Sequence, residues 1–138
     1  MSANVVFPHQ PSIPQQPPFV FVDQVLAADS LTATTSYRVT DHTLLIVDDR
    51  LSAAGLVEHV AQTCAAWQGE QLHEGDMPHR GMIGAVKRLE TYRLPSVGEE
   101  MVSRMQVMEQ VFGMILANVE VAVKNELIAQ AEIKLTIE

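Results

Sequence analysis

Apolar positions follow two rhythms along this chain. From Leu127 to the C-terminus they alternate, with Leu127, Ala129, Ala131, Ile133, Leu135 and Ile137 on one side. Gln130, Glu132, Lys134 and Glu138 stand on the other, which is the period of a half-buried strand. Met82–Tyr92, Glu100–Gln110 and Phe112–Val123 read as further strands, with Lys124-Asn125-Glu126 as the turn before the last. Between Ser52 and about Gln71 the rhythm changes. Leu56, Val57, Val60, Ala61, Cys64 and Trp67 recur at helical spacing, and Ser52 is a suitable N-cap. Upstream, Phe19–Leu26 and Thr32–Val39 read as a pair of strands joined at Ala27–Ser30. Asp41–Asp49 fits either a buried loop or a short strand.

Five prolines between Pro8 and Pro18 forbid helix or central strand, so residues 1–18 are expected to form an extended or looped arm ahead of one domain, residues 19–138. Val5, Phe7 and Ile13 would pin that arm if it is ordered. Two strands, one long helix and then a run of antiparallel strands make an α+β arrangement. Periodicity alone does not separate the folds of that class.

At 138 residues and 47% apolar composition, one packed core is the expectation. The formal net charge of −8 argues against nucleic acid or an anionic membrane as partner. Arg80, Lys87, Arg88 and Arg93 could still form a local basic patch for an acidic carrier protein, or be ordinary solvated charges. Cys64, the only cysteine, falls in the apolar helical stripe and reads as a buried small residue. The chain carries no signal-peptide layout and no apolar run of about 20 residues, so a soluble cytoplasmic protein is expected. His73 and His79 share a loop with Glu74 and Asp76 but lack the spacing of a metal site. No metal and no cofactor are expected.

Four segments resemble, in order, the bacterial 3-hydroxyacyl-[acyl-carrier-protein] dehydratases. Ile13-Pro14-Gln15 through Pro17-Pro18-Phe19-Val20-Phe21-Val22-Asp23-Gln24-Val25 is similar to their opening Leu-Pro-His, Pro-Phe and apolar-apolar-Val-Asp-Arg-Val. Gly55-Leu56-Val57-Glu58-His59-Val60-Ala61-Gln62 resembles their central helix. Met82-Ile83-Gly84-Ala85-Val86-Lys87 resembles the strand after it, and Leu94-Pro95-Ser96-Val97-Gly98-Glu99 their Pro-Val-x-Pro-Gly-Asp turn. The resemblance implies a hotdog fold, an antiparallel sheet wrapped around the helix. It also implies a homodimer, or a heterodimer with a paralogue, and acyl chains carried on phosphopantetheine by acyl carrier protein or CoA.

Dehydrating a 3-hydroxyacyl thioester requires a base for the C2 proton, an acid for the departing C3 hydroxyl, and donors for the enolate-like oxygen. Glu58 matches the family carboxylate, although its residue pattern alone reads as part of a solvated helix face. Gln62, four residues on, could orient it. The resemblance further implies Ala53 as a backbone N–H donor at the helix start, where the first N–H groups are free. Gly84 then permits close backbone approach in the following strand. The family's histidine lies in a Gly-His-Phe-Pro loop before the helix, and Leu44–Leu51 contains no histidine. His42 is the nearest substitute. His59 adjoins Glu58 but projects about 100° around the helix from it. Met101, Met105, Met108 and Met114 could line an acyl tunnel or fill the core. Three readings follow: a dehydratase using Glu58 and His42, a non-catalytic subunit of a heterodimer, or a thioesterase using one carboxylate.

Overall fold

The computed structural model describes residues 6–71 and 83–136. Strands β1 (Gln24–Ala28), β2 (Thr32–Arg38), β5 (Ile83–Thr91), β6 (Glu100–Val111), β7 (Met114–Val123) and β8 (Glu126–Thr136) form one antiparallel sheet in the order β1-β2-β6-β7-β8-β5. Helix α1 (Ala53–Glu70) packs on one face of it, chiefly against β2 and β6. Strands β3 (Ile46–Val47) and β4 (Arg50–Leu51) make a small hairpin just before the helix. The architecture is the α+β one that the two rhythms predict.

Alternation explains the sheet. Met101, Ser103, Met105 and Val107 of β6 point to the core between exposed neighbours, and Ile115, Ala117, Val119, Val121 and Val123 of β7 do so between exposed or half-buried ones. The alternation expected for β8 breaks at its start. Leu127 is 38% exposed and Ile128 fully buried, because the β7–β8 register shifts between Val121 and Ala122 and leaves Ile128 as an extra residue. Two hairpins of the main sheet turn on two-residue loops in the left-handed region. Lys124 and Asn125 have φ 49° and 65°, and Phe112 and Gly113 have φ 48° and 79°.

The first strand starts later than its apolar run. Phe21 and Val22 are buried in succession, and the N–H and C=O of Phe21 bond to helix side chains rather than to a neighbouring strand. Regular pairing therefore begins at Gln24. Met101 and Met105 belong to the core, whereas Met108 and Met114 are exposed. His73, His79, Arg80, Val5 and Ile137 lie outside the described residues. Among those described, no helix is long and apolar enough to cross a membrane.

Candidate functional site

The start of α1 is held by the turn at residues 94–99. Leu51 N–H donates to the Pro95 carbonyl, Val97 N–H to that of Asp49, and Gly98 N–H to that of Val39. Glu99 secures this turn by accepting from the Ser96 N–H and from both terminal nitrogens of Arg93, at 2.7 and 3.0 Å. Its carboxyl sits below the usual carboxylate range because of the Arg93 bond first and the Ser96 N–H second. Within the β3–β4 hairpin, Asp48 and Asp49 form the left-handed turn, at φ 52° and 60°. Leu51 then seats against Gly55, where an added Cβ would lie 2.3 Å from Leu51 Cδ1.

Ser52 caps the helix, its Oγ accepting from the Gly55 N–H at 3.3 Å. Ala53 and Ala54 are exposed beyond the cap. The free N–H groups of a first helical turn can stabilise a developing oxyanion there. Glu58 stands on the exposed flank farther along the helix, and Gln62 Nε2 donates to its Oε2 at 3.3 Å. The same amide nitrogen donates to the Phe19 carbonyl at 2.9 Å, and Gln62 Oε1 accepts from the Phe21 N–H at 2.6 Å. One buried amide thus fixes the segment before β1 and the carboxylate of Glu58 together.

His59 carries the adjoining half of this clamp. Its ring is fully buried, with Nδ1 2.7 Å from the Phe21 carbonyl and Nε2 2.6 Å from Ser103 Oγ. A carbonyl only accepts, so Nδ1 holds the proton and Nε2 accepts from the serine. Burial pushes the imidazole down to about 4, against a smaller opposing effect of the Phe21 bond. Thr63 donates to the His59 carbonyl, leaving the Thr35 hydroxyl to donate to Thr63. His59 is a neutral fastener in the core, and its pairing with Ser103 is not visible in local spacing. A signal for its burial existed, since residue 59 lies three after Leu56 on the buried stripe.

His42 is elsewhere in the chain. Its side chain is 94% exposed, its ring approaches Asp41 at 3.6 Å, and its N–H donates to Thr40 Oγ1. No contact among the described residues joins it to Glu58 of the same chain. At Gly84, an added Cβ would stand 3.3 Å from both Ile133 Cδ1 and Leu135 Cδ2, a tight fit that glycine relieves. Cys64 is buried and its thiol is pushed up to about 12 by that burial. The basic patch does not form as a bare surface among the described residues. Lys87 reaches Glu132 at 3.8 Å, Arg88 reaches Glu90 at 2.6 Å, and Arg93 is held by Glu99 and Glu126. Among the described residues no three His, Cys, Asp or Glu side chains converge to hold a metal ion.

The family model for ApeP-like proteins, described as ApeP dehydratase, matches residues 7–137. No curated protein sequence matches the chain. Among solved structures, the dehydratase heterocomplex ApeI:P from Xenorhabdus doucetiae superposes with TM-score 0.76 at 15% identity, over 91% of this chain and 88% of that one. The PaaI protein of the E. coli phenylacetic acid degradation operon gives 0.65 at 16%, over 81% and 80%. Thioesterase superfamily member 2 of Mus musculus gives 0.65 at 14%, over 83% and 80%. At such identities these structures establish the fold, a hotdog, while the match over nearly the whole chain establishes more: this protein belongs to the ApeP-like dehydratase family.

Proposed function

We propose that the chain works on 3-hydroxyacyl thioesters carried on phosphopantetheine, as one half of a two-chain hotdog dehydratase. The observation that carries this reading is the state of Glu58. It is an exposed carboxylate oriented by a buried amide, and the neighbouring histidine is locked into the core. A single chain therefore presents half of an acid–base pair. Glu58 protonates the departing C3 hydroxyl, which leaves as water, while a base supplied across the interface takes the C2 proton. The electrons of that C–H bond form the C2–C3 double bond. The N–H groups at Ala53 and Ala54 stabilise the thioester oxygen.

An edge at β5 that no strand among the described residues covers, and a helix flank carrying Ala54, Val57 and Ala61, support assembly with a second hotdog chain. The partner is a second copy or a paralogue; the heterocomplex among the structural neighbours favours a paralogue. Among the described residues, His42, on its exposed turn, is the group proposed to face a partner's carboxylate.

The test incubates a 3-hydroxyacyl carrier protein with the purified chain, alone and co-expressed with a hotdog paralogue from the same genome, and follows the acyl group by mass spectrometry. Glu58→Gln is expected to lower the rate of water loss about 10²–10⁴-fold. Water loss by the pair that ignores Glu58→Gln would make this chain the non-catalytic subunit. Free acid as product would replace dehydration with thioester hydrolysis.

A further inference from the structure

The sheet has two edges, β1 and β5, and the structure treats them differently. No strand among the described residues covers the outer side of β5. On β1, the outward N–H of Val25 donates to the His9 carbonyl at 2.7 Å, and the His9 N–H donates back to the Val25 carbonyl at 3.1 Å. Pro8 and Pro11 flank His9, and neither has an N–H to offer a further strand.

The arm that delivers His9 is fastened to the helix at two places. His9 Nε2 meets Glu70 Oε1 at 3.0 Å, with the Phe7 ring stacked on the imidazole at 5.0 Å. Farther along, the Ser12 carbonyl oxygen lies where a Cβ on Gly69 would come within 2.3 Å of it. The last turn of the helix is thus shaped to receive backbone. Exposed strand edges are templates for pairing with another chain, and prolines and covering segments are how proteins blunt them.

We propose that the proline-rich arm is an assembly limit: it caps the β1 edge, so that chains join through β5 and the joined sheet cannot grow at its outer ends. The occupant excluded is a second copy of this chain, whose strand would otherwise bond to Val25. A sheet open at both edges pairs head to tail without closing, whereas one capped edge per chain stops at two. The direction of joining rests on the β5 pairing proposed above. A wild-type chain that stays monomeric would overturn that pairing alone, since the cap is read from the difference between variant and wild type.

Two full-length variants test the cap. Gly69→Ala places a methyl group against the Ser12 carbonyl while improving the intrinsic helix propensity of the last turn. His9→Pro removes the N–H bonded to the Val25 carbonyl and the ring on Glu70, loosening the arm that brings the residue-9 carbonyl to the Val25 N–H, and leaves the core untouched. Both are expected to speed hydrogen exchange at the Val25 amide at least about tenfold. In light scattering their mass should rise with concentration beyond that of wild type. Unchanged Val25 exchange in both variants would overturn the arm as a cover for this edge. Faster exchange with the wild-type mass at every concentration would overturn it as a limit on assembly.

Discussion

The buried His59 makes a pH dependence that can be worked from the structure. Its folded pKa of about 4 lies below the ordinary 6.5 because burial disfavours the imidazolium. Protonation therefore favours the unfolded chain. The stabilising contribution is complete above the unfolded pKa and is lost as pH falls through 6.5 toward 4. With these two values the loss is about 2 kcal/mol at pH 5 and about 3 kcal/mol at pH 4. That is a large part of the 5–15 kcal/mol typical of a domain. The groups around the ring, Phe21 carbonyl, Ser103 hydroxyl and the Tyr37 ring at 6.1 Å, are uncharged in this range and do not offset the loss. His59→Gln removes the titration while keeping one donor and one acceptor for the same two partners. Urea unfolding of both proteins at pH 7.5, 6 and 5 should show wild type losing about 2 kcal/mol more than the variant over that interval. Parallel pH slopes in the two proteins would refute the assignment of a neutral, buried His59.

Phe112→Asn should raise the stability by about 1 kcal/mol, because Phe112 holds a left-handed φ of 48° with its side chain fully in solvent. An unchanged or lower urea midpoint would contradict this. Cys64 should resist a thiol reagent in the native protein and react at once in denaturant, as its thiol is buried and pushed up to about 12. Rapid native labelling would refute that burial. Glu58→Gln should alter the unfolding free energy from urea titration by less than about 0.5 kcal/mol, since the side chain is exposed and an amide can keep the bond from Gln62. A larger drop would assign Glu58 a structural task.

The sequence by itself determined the elements that depend on near neighbours. Ser52 caps the helix because its hydroxyl reaches a backbone N–H three residues on, and the long strands alternate because their side chains must. The order of elements and the four matching segments were also enough to read the fold class. Tertiary structure decided whatever depends on a partner distant in sequence. The β1 run starts pairing only at Gln24 because Gln62 and His59 take the Phe21 backbone first. Ile128 rather than Leu127 enters the core because β7 sets the register. Lys87 and Arg93 do not stand bare, since the folded sheet brings Glu132 to the first and Glu126 to the second. The same holds at the candidate site. Glu58 could be matched from its own segment, whereas the place of His42 away from it, and of His59 on Ser103, required the fold. Periodicity reports which face a residue occupies, but only long-range contacts report what that face meets.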